Sequence, residues 1–127
     1  MATVRRPAAL VALALVTAAC GGGTSASPIP VPSGAVVLKA VDLKFAPAHL
    51  SVEAGQPFVL YFDNEDSAQH NVVVVAGDGT RVLVGDILPA STQRIYNVPT
   101  LTAGTYKLIC DIHSDMSGSL EVLPPPE

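Results

Sequence analysis

Apolar residues in this chain fall into short runs, each broken by turn-forming residues. From residue 35 onward the runs are AVVLKAV, HLSVE, PFVLYFDN, HNVVVVA, RVLVGDI, STQRIYNV, GTYKLIC and GSLEVL. Between them stand Ala54-Gly55-Gln56-Pro57, Asn64-Glu65-Asp66, Gly77-Asp78-Gly79, Leu88-Pro89-Ala90 and Ala103-Gly104, the residue types that punctuate strands. No run keeps a helical period, although Ala46–Ala48 and the surroundings of Leu101 suit a brief turn. About eight short β-segments spaced in this way predict an all-β sandwich or a barrel.

Alternation then assigns faces. In TYKLIC, Tyr106, Leu108 and Cys110 share one side and Lys107 lies on the other. Because Lys107 needs water, Cys110 is expected to point inward at the end of its strand. By the same rule Leu120 and Val122 go in with Glu121 out, and Leu50 and Val52 go in with Ser51 and Glu53 out. HNVVVV is apolar on both faces, so period alone cannot orient His70.

The first residues follow another logic. Arg5 and Arg6 precede an unbroken apolar run from Ala8 to Val16, and Thr17-Ala18-Ala19 leads into Cys20. This is the layout of a secretory signal peptide over 1–19, with a run shorter than the roughly 20 residues a membrane span needs. Small residues ending in Cys also resemble a bacterial lipoprotein signal, in which Cys20 becomes lipidated. A twin-arginine signal is the weaker reading, since Pro7 follows the pair. Residues 20–33 are rich in Gly, Ser and Pro and are expected to form a flexible tether. A Cys20–Cys110 disulfide is the alternative for an exported chain, but it would tie a buried strand end to a mobile tail. The expected layout is thus a leader, a lipidated tether, one domain over 34–123 and a tail over 124–127. The expected location is extracytoplasmic, in a bacterial envelope or periplasm, with the protein held to the membrane by lipid.

Charge narrows the partners. Seven Lys+Arg less Arg5 and Arg6 leaves five against 11 Asp+Glu, a net charge of −6 for the mature chain. An acidic surface without basic clusters argues against nucleic acid. A monomer is expected.

The stretch YKLICDIHSDMSG carries the chemistry. Cys110, His113 and Met116 stand at equal steps between the last two expected strands, and His70 opens an earlier one after DNEDSAQ. Loops at the end of a rigid sandwich are where such a site is built. Two imidazoles, a thiolate and a weak axial thioether make up the ligand set of a blue-copper centre. Each residue also has a plainer role: Cys110 as a small core residue, Met116 as a gap-filler and His70 as a satisfied strand end. Zinc would want a donor better than a thioether. A Cys-His hydrolase would want its thiolate in a positive setting, whereas Cys110 lies near Asp111 and Asp115. His49 reads as a surface histidine, and Asp63, Glu65 and Asp66 read as a solvated turn.

FAPAHLSVEAGQPFVLYFDNEDSAQHNVVV followed by AGTYKLICDIHSDMSGSLEVL resembles the cupredoxin family of plastocyanin-like small blue copper proteins. The resemblance implies a Greek-key β-sandwich with one type-1 copper held by His70, Cys110, His113 and Met116, and no enzymatic reaction. It implies that Asn71 braces the Cys110 loop by hydrogen bonds. It also implies that His113 passes electrons to a docked redox protein, and the acidic surface suggests that this partner is a cytochrome or oxidase domain with a basic face. Two departures matter: Asp111 and Asp115 in the loop would favour Cu(II) if they face the metal. They would also shrink the apolar docking patch to Ile112, Ala46-Pro47 and Leu88-Pro89. A copper storage, delivery or detoxification protein is the alternative function for the same ligands, and a vestigial site is a third.

Overall fold

The computed structural model describes residues 27–127. The expected signal peptide and Cys20, with the expectations placed on them, lie outside the described residues. Nine strands follow: β1 (Val36–Val41), β2 (Lys44–Ala46), β3 (His49–Glu53), β4 (Phe58–Asn64), β5 (Val73–Val75), β6 (Arg81–Val84), β7 (Thr92–Val98), β8 (Gly104–Ile109) and β9 (Ser117–Leu123). They form a four-stranded sheet of order β2-β1-β4-β7 and a five-stranded sheet of order β3-β9-β8-β5-β6. β1 pairs with β4, and β3 with β9, in parallel; the other pairs are antiparallel. The chain crosses between the sheets at β2–β3, β3–β4, β4–β5, β6–β7 and β7–β8, so the inner faces pack on each other. The result is the all-β sandwich that the punctuated runs predict.

The faces follow alternation. Leu38, Leu60 and Phe62 from one sheet join Val74, Leu108, Leu120 and Val122 from the other in one buried cluster. Phe45 meets Phe62 edge to face, with ring centroids 6.3 Å apart. Burying each such side chain contributes on the order of 2 kcal/mol. Tyr106, Leu108 and Cys110 are buried as expected, and Leu50, Leu120 and Val122 face inward.

Two elements differ from the sequence reading. β2 was not among the eight runs; three residues are too few to show a period, and it exists because Asp42 and Leu43 turn back at φ 51° and 59° to pair Lys44–Ala46 with β1. The HNVVVVA run forms a strand only over Val73–Val75. Ahead of it, His70 exchanges backbone bonds with Leu88 alone (His70 N–H to Leu88 O at 3.2 Å, Leu88 N–H to His70 O at 2.8 Å). Leaving the ladder there lets the His70 and Asn71 side chains both turn into the protein, where they are buried. Ahead of the domain, Ile29 O accepts a hydrogen bond from Tyr61 Oη at 2.7 Å, which lays the residues before Gly34 against β4.

Candidate metal centre

β8 delivers Cys110 to one end of the sandwich, and residues 110–116 loop over to β9. The loop closes on itself: the Cys110 N–H donates to Met116 O at 3.3 Å and the Met116 N–H donates to His113 O at 3.0 Å. Cys110 and Met116 are buried and His113 is half-buried. His70 arrives from the segment before β5, and its ring is fully buried.

Three donor atoms converge. Cys110 Sγ lies 3.9 Å from His70 Nδ1 and 3.9 Å from His113 Nδ1, and the two nitrogens are 3.1 Å apart. A triangle with sides of 3.9, 3.9 and 3.1 Å has a circumradius of about 2.1 Å, which matches metal–nitrogen and metal–sulfur bonds of about 2.0–2.3 Å. The group can therefore take one ion in a trigonal setting without rearrangement, the geometry suited to copper. At 3.1 Å the two ring nitrogens can share one proton in an N–H···N hydrogen bond or, with both unprotonated, face a cation together.

The ring of His70 is oriented by a carboxylate. His70 Nε2 lies 2.8 Å from Asp66 Oδ2. An ionised carboxylate only accepts, so Nε2 carries the proton and the Nδ1 lone pair faces Cys110 and His113. Asp66 is itself fixed, accepting from the Asp42 N–H at 2.7 Å and the Leu43 N–H at 2.9 Å. Burial pushes the Asp66 carboxyl up, but the Leu43 N–H, the His70 ring and the Asp42 N–H together outweigh it. They hold the group below the ordinary carboxylate value. Buried Asn64 ties down the rest of this segment: its Nδ2 reaches Ala68 O, Pro89 O and Leu88 O at 2.8, 3.0 and 3.2 Å.

Asn71 spans to the other side of the loop. Its Oδ1 accepts the Asp111 N–H at 2.8 Å, and its Nδ2 donates to Asp111 Oδ2 at 3.0 Å and to Gly85 O at 3.2 Å. Arg81 pairs with the second Asp111 oxygen. Hydrogen bonds from Asn71 and then Arg81 hold the Asp111 carboxyl below its usual range.

Several sequence expectations need correction. Asp66 is not part of a solvated turn; only the spacing of Asp66 four residues before His70 hinted at the contact. Glu65 does lie at the surface, paired with Lys39, and Asp63 accepts from Gln93. Asp111 turns to Asn71 and Arg81 rather than toward the three donors, because both are better partners than a crowded thiol. Leu88 cannot belong to a docking patch: it is 1% exposed, while Ile112 and Pro89 are exposed. His49 stays at the surface but has a partner, with Nδ1 2.7 Å from Ser119 Oγ across the β3–β9 pair.

Comparison with known proteins agrees with this geometry. Residues 8–122 match the family model described as a cupredoxin-like domain. Amicyanin-alpha of Methylorubrum extorquens is 30% identical over 115 residues, covering 91% of this chain and 94% of that protein. A solved amicyanin variant in its Cu(I) form is 30% identical, with a TM-score of 0.59 over 73% of this chain and 86% of that one. Auracyanin from Roseiflexus castenholzii, at 19% identity, shares the fold with a TM-score of 0.64 over 72% of this chain and 98% of its own.

Proposed function

This chain belongs to the cupredoxin-like family, and on that premise we propose that it is a one-electron carrier whose single type-1 copper is held by His70, Cys110, His113 and Met116. The observation that carries the reading is the triangle of Nδ1, Nδ1 and Sγ, already at bonding radius. Copper bound there supplies a Cu(II)/Cu(I) couple that takes up and releases one electron. The residues do the rest. Asp66 holds the His70 tautomer, Asn71 holds the start of the ligand loop, and the two backbone bonds inside 110–116 hold its turn. Donors fixed in this way move little between oxidation states, which keeps the barrier to electron transfer low. Met116, buried at the end of this loop, would add a weak thioether donor to the other three.

His113 is the only half-buried member of the donor triangle, so the electron enters and leaves at its edge, beside exposed Ile112. The net negative charge of the mature chain suits a redox partner with a basic face, a cytochrome or oxidase domain. No substrate is transformed. The domain works as a monomer outside the cytoplasm, on a tether lipidated at Cys20 that anchors it to the membrane. Burial of His70 and Cys110 favours this over copper delivery, which needs an open and exchangeable site.

The test is a Cu(II) titration of residues 28–127, followed by visible absorption and electron paramagnetic resonance. An intense thiolate-to-copper band with narrow hyperfine splitting, absent in Cys110→Ser, is expected. Tight binding without that band would hand the site to the copper-handling reading.

A further inference from the structure

The residue after Cys110 is an aspartate with both carboxylate oxygens engaged. Asn71 Nδ2 donates to Oδ2 at 3.0 Å, Arg81 Nη2 donates to Oδ1, and the Asp111 N–H returns to Asn71 Oδ1 at 2.8 Å. Arg81 comes from β6, which reaches β8 only through β5. In register it stands opposite Val75, and Val75 opposite Lys107, whereas Asp111 lies beyond Ile109. The guanidinium therefore crosses one strand and runs along the sheet to reach the first residue after the thiol.

Stability does not explain this reach. The two side chains are 44% and 34% exposed, and ion pairs in such settings contribute little because water and salt screen them. The neighbourhood does explain it. A carboxylate one residue from Cys110 places a full negative charge beside the donor triangle. Left unpaired and free to turn, that charge would favour Cu(II) over Cu(I). Arg81 answers both effects, since its Nη2 holds the oxygen that Asn71 leaves free and its charge offsets that of the carboxylate.

We infer that Arg81 is a positioning residue for the copper site, acting through Asp111: it keeps the carboxylate locked on Asn71, away from the donors, and so sustains the Cu(I) state. The inference rests on the type-1 copper reading and adds a control element that lies outside the ligands.

The experiment compares the full chain with Arg81→Gln, Asp111→Asn and the double variant. Amide hydrogen exchange at Asp111 is followed in the metal-free protein. The ratio of Cu(II) to Cu(I) affinity is then measured by chelator competition. Arg81→Gln is expected to speed exchange at Asp111 and to shift the affinity ratio toward Cu(II) by about two- to five-fold, the scale set by a partly exposed ion pair. The unfolding midpoint of the metal-free protein should stay put. In the Asp111→Asn background the same substitution should shift nothing. An equal shift in both backgrounds would overturn the proposal, because Arg81 would then act by its own charge and not through Asp111. Unchanged exchange and an unchanged ratio would overturn it as well. Faster exchange in a protein whose wild type lacks the thiolate-to-copper band would support the lock on Asp111 and reject the copper reading instead.

Discussion

Replacing Asp66 with alanine should separate the orientation of His70 from its mere presence. Three donors lose their acceptor: His70 Nε2–H, the Asp42 N–H and the Leu43 N–H. Asp42 and Leu43 sit at an exposed turn, so water replaces the carboxylate there, and each lost bond costs about 0.5 kcal/mol. His70 is fully buried and has no water to turn to; a buried donor left unpaired costs about 1–3 kcal/mol. The metal-free protein should therefore lose about 2–4 kcal/mol in urea unfolding. The ring can escape part of that cost by moving its proton to Nδ1, but this places an N–H in the middle of the donor triangle. Copper(I) affinity by chelator competition should then fall about 10- to 100-fold, as it does when partners that orient metal-bound histidines are removed. Long-range nitrogen-15 spectra of the metal-free protein should show His70 shifting from the Nε2–H tautomer to a mixture. Asp66→Asn, which retains one acceptor oxygen, should lose roughly half as much stability and keep the tautomer. A folded Asp66→Ala protein that binds copper within about threefold of wild type would refute the orienting role.

Other consequences are simpler to test. A Cβ at Gly85 would lie 2.7 Å from Val72 O and 2.9 Å from Tyr96 Oη, so Gly85→Ala should cost about 1–3 kcal/mol in chemical denaturation. It should also loosen the Asn71 contact to Gly85 O, visible as faster exchange at Asp111. Leu108→Ala removes a fully buried side chain from between the sheets and should cost about 2–5 kcal/mol; a smaller loss would mean that the sandwich collapses to fill the gap. Electron-transfer rates with a basic redox partner should fall as salt rises, and rates indifferent to salt would reject charge-guided docking. Cys20→Ala should release the protein from membranes in cell fractionation; a protein that stays bound would rule out the lipid anchor.

Much of the sandwich was legible because a strand that packs one face shows its period in single residues. Tyr106, Leu108 and Cys110 could be oriented from Lys107 alone, and Glu121 did the same for Leu120 and Val122. Short or doubly apolar segments offer no such handle. β2 has three residues, and the valines after His70 are buried whichever way they face, so neither the extra strand nor the early end of the HNVVVVA run could be read.

The donor types and their spacing, Cys110, His113 and Met116 in one loop with His70 upstream, are local facts, and the sequence determined them by itself. That His70 Nδ1 rather than Nε2 turns to Cys110 depends on Asp66, which depends in turn on the left-handed turn at Asp42 and Leu43. The direction of the Asp111 carboxylate depends on Arg81, 30 residues away in sequence and two strands away in the sheet. Hydrogen bonds and ion pairs act over a few ångströms of space, and only the folded sheets decide which distant residues come within that reach.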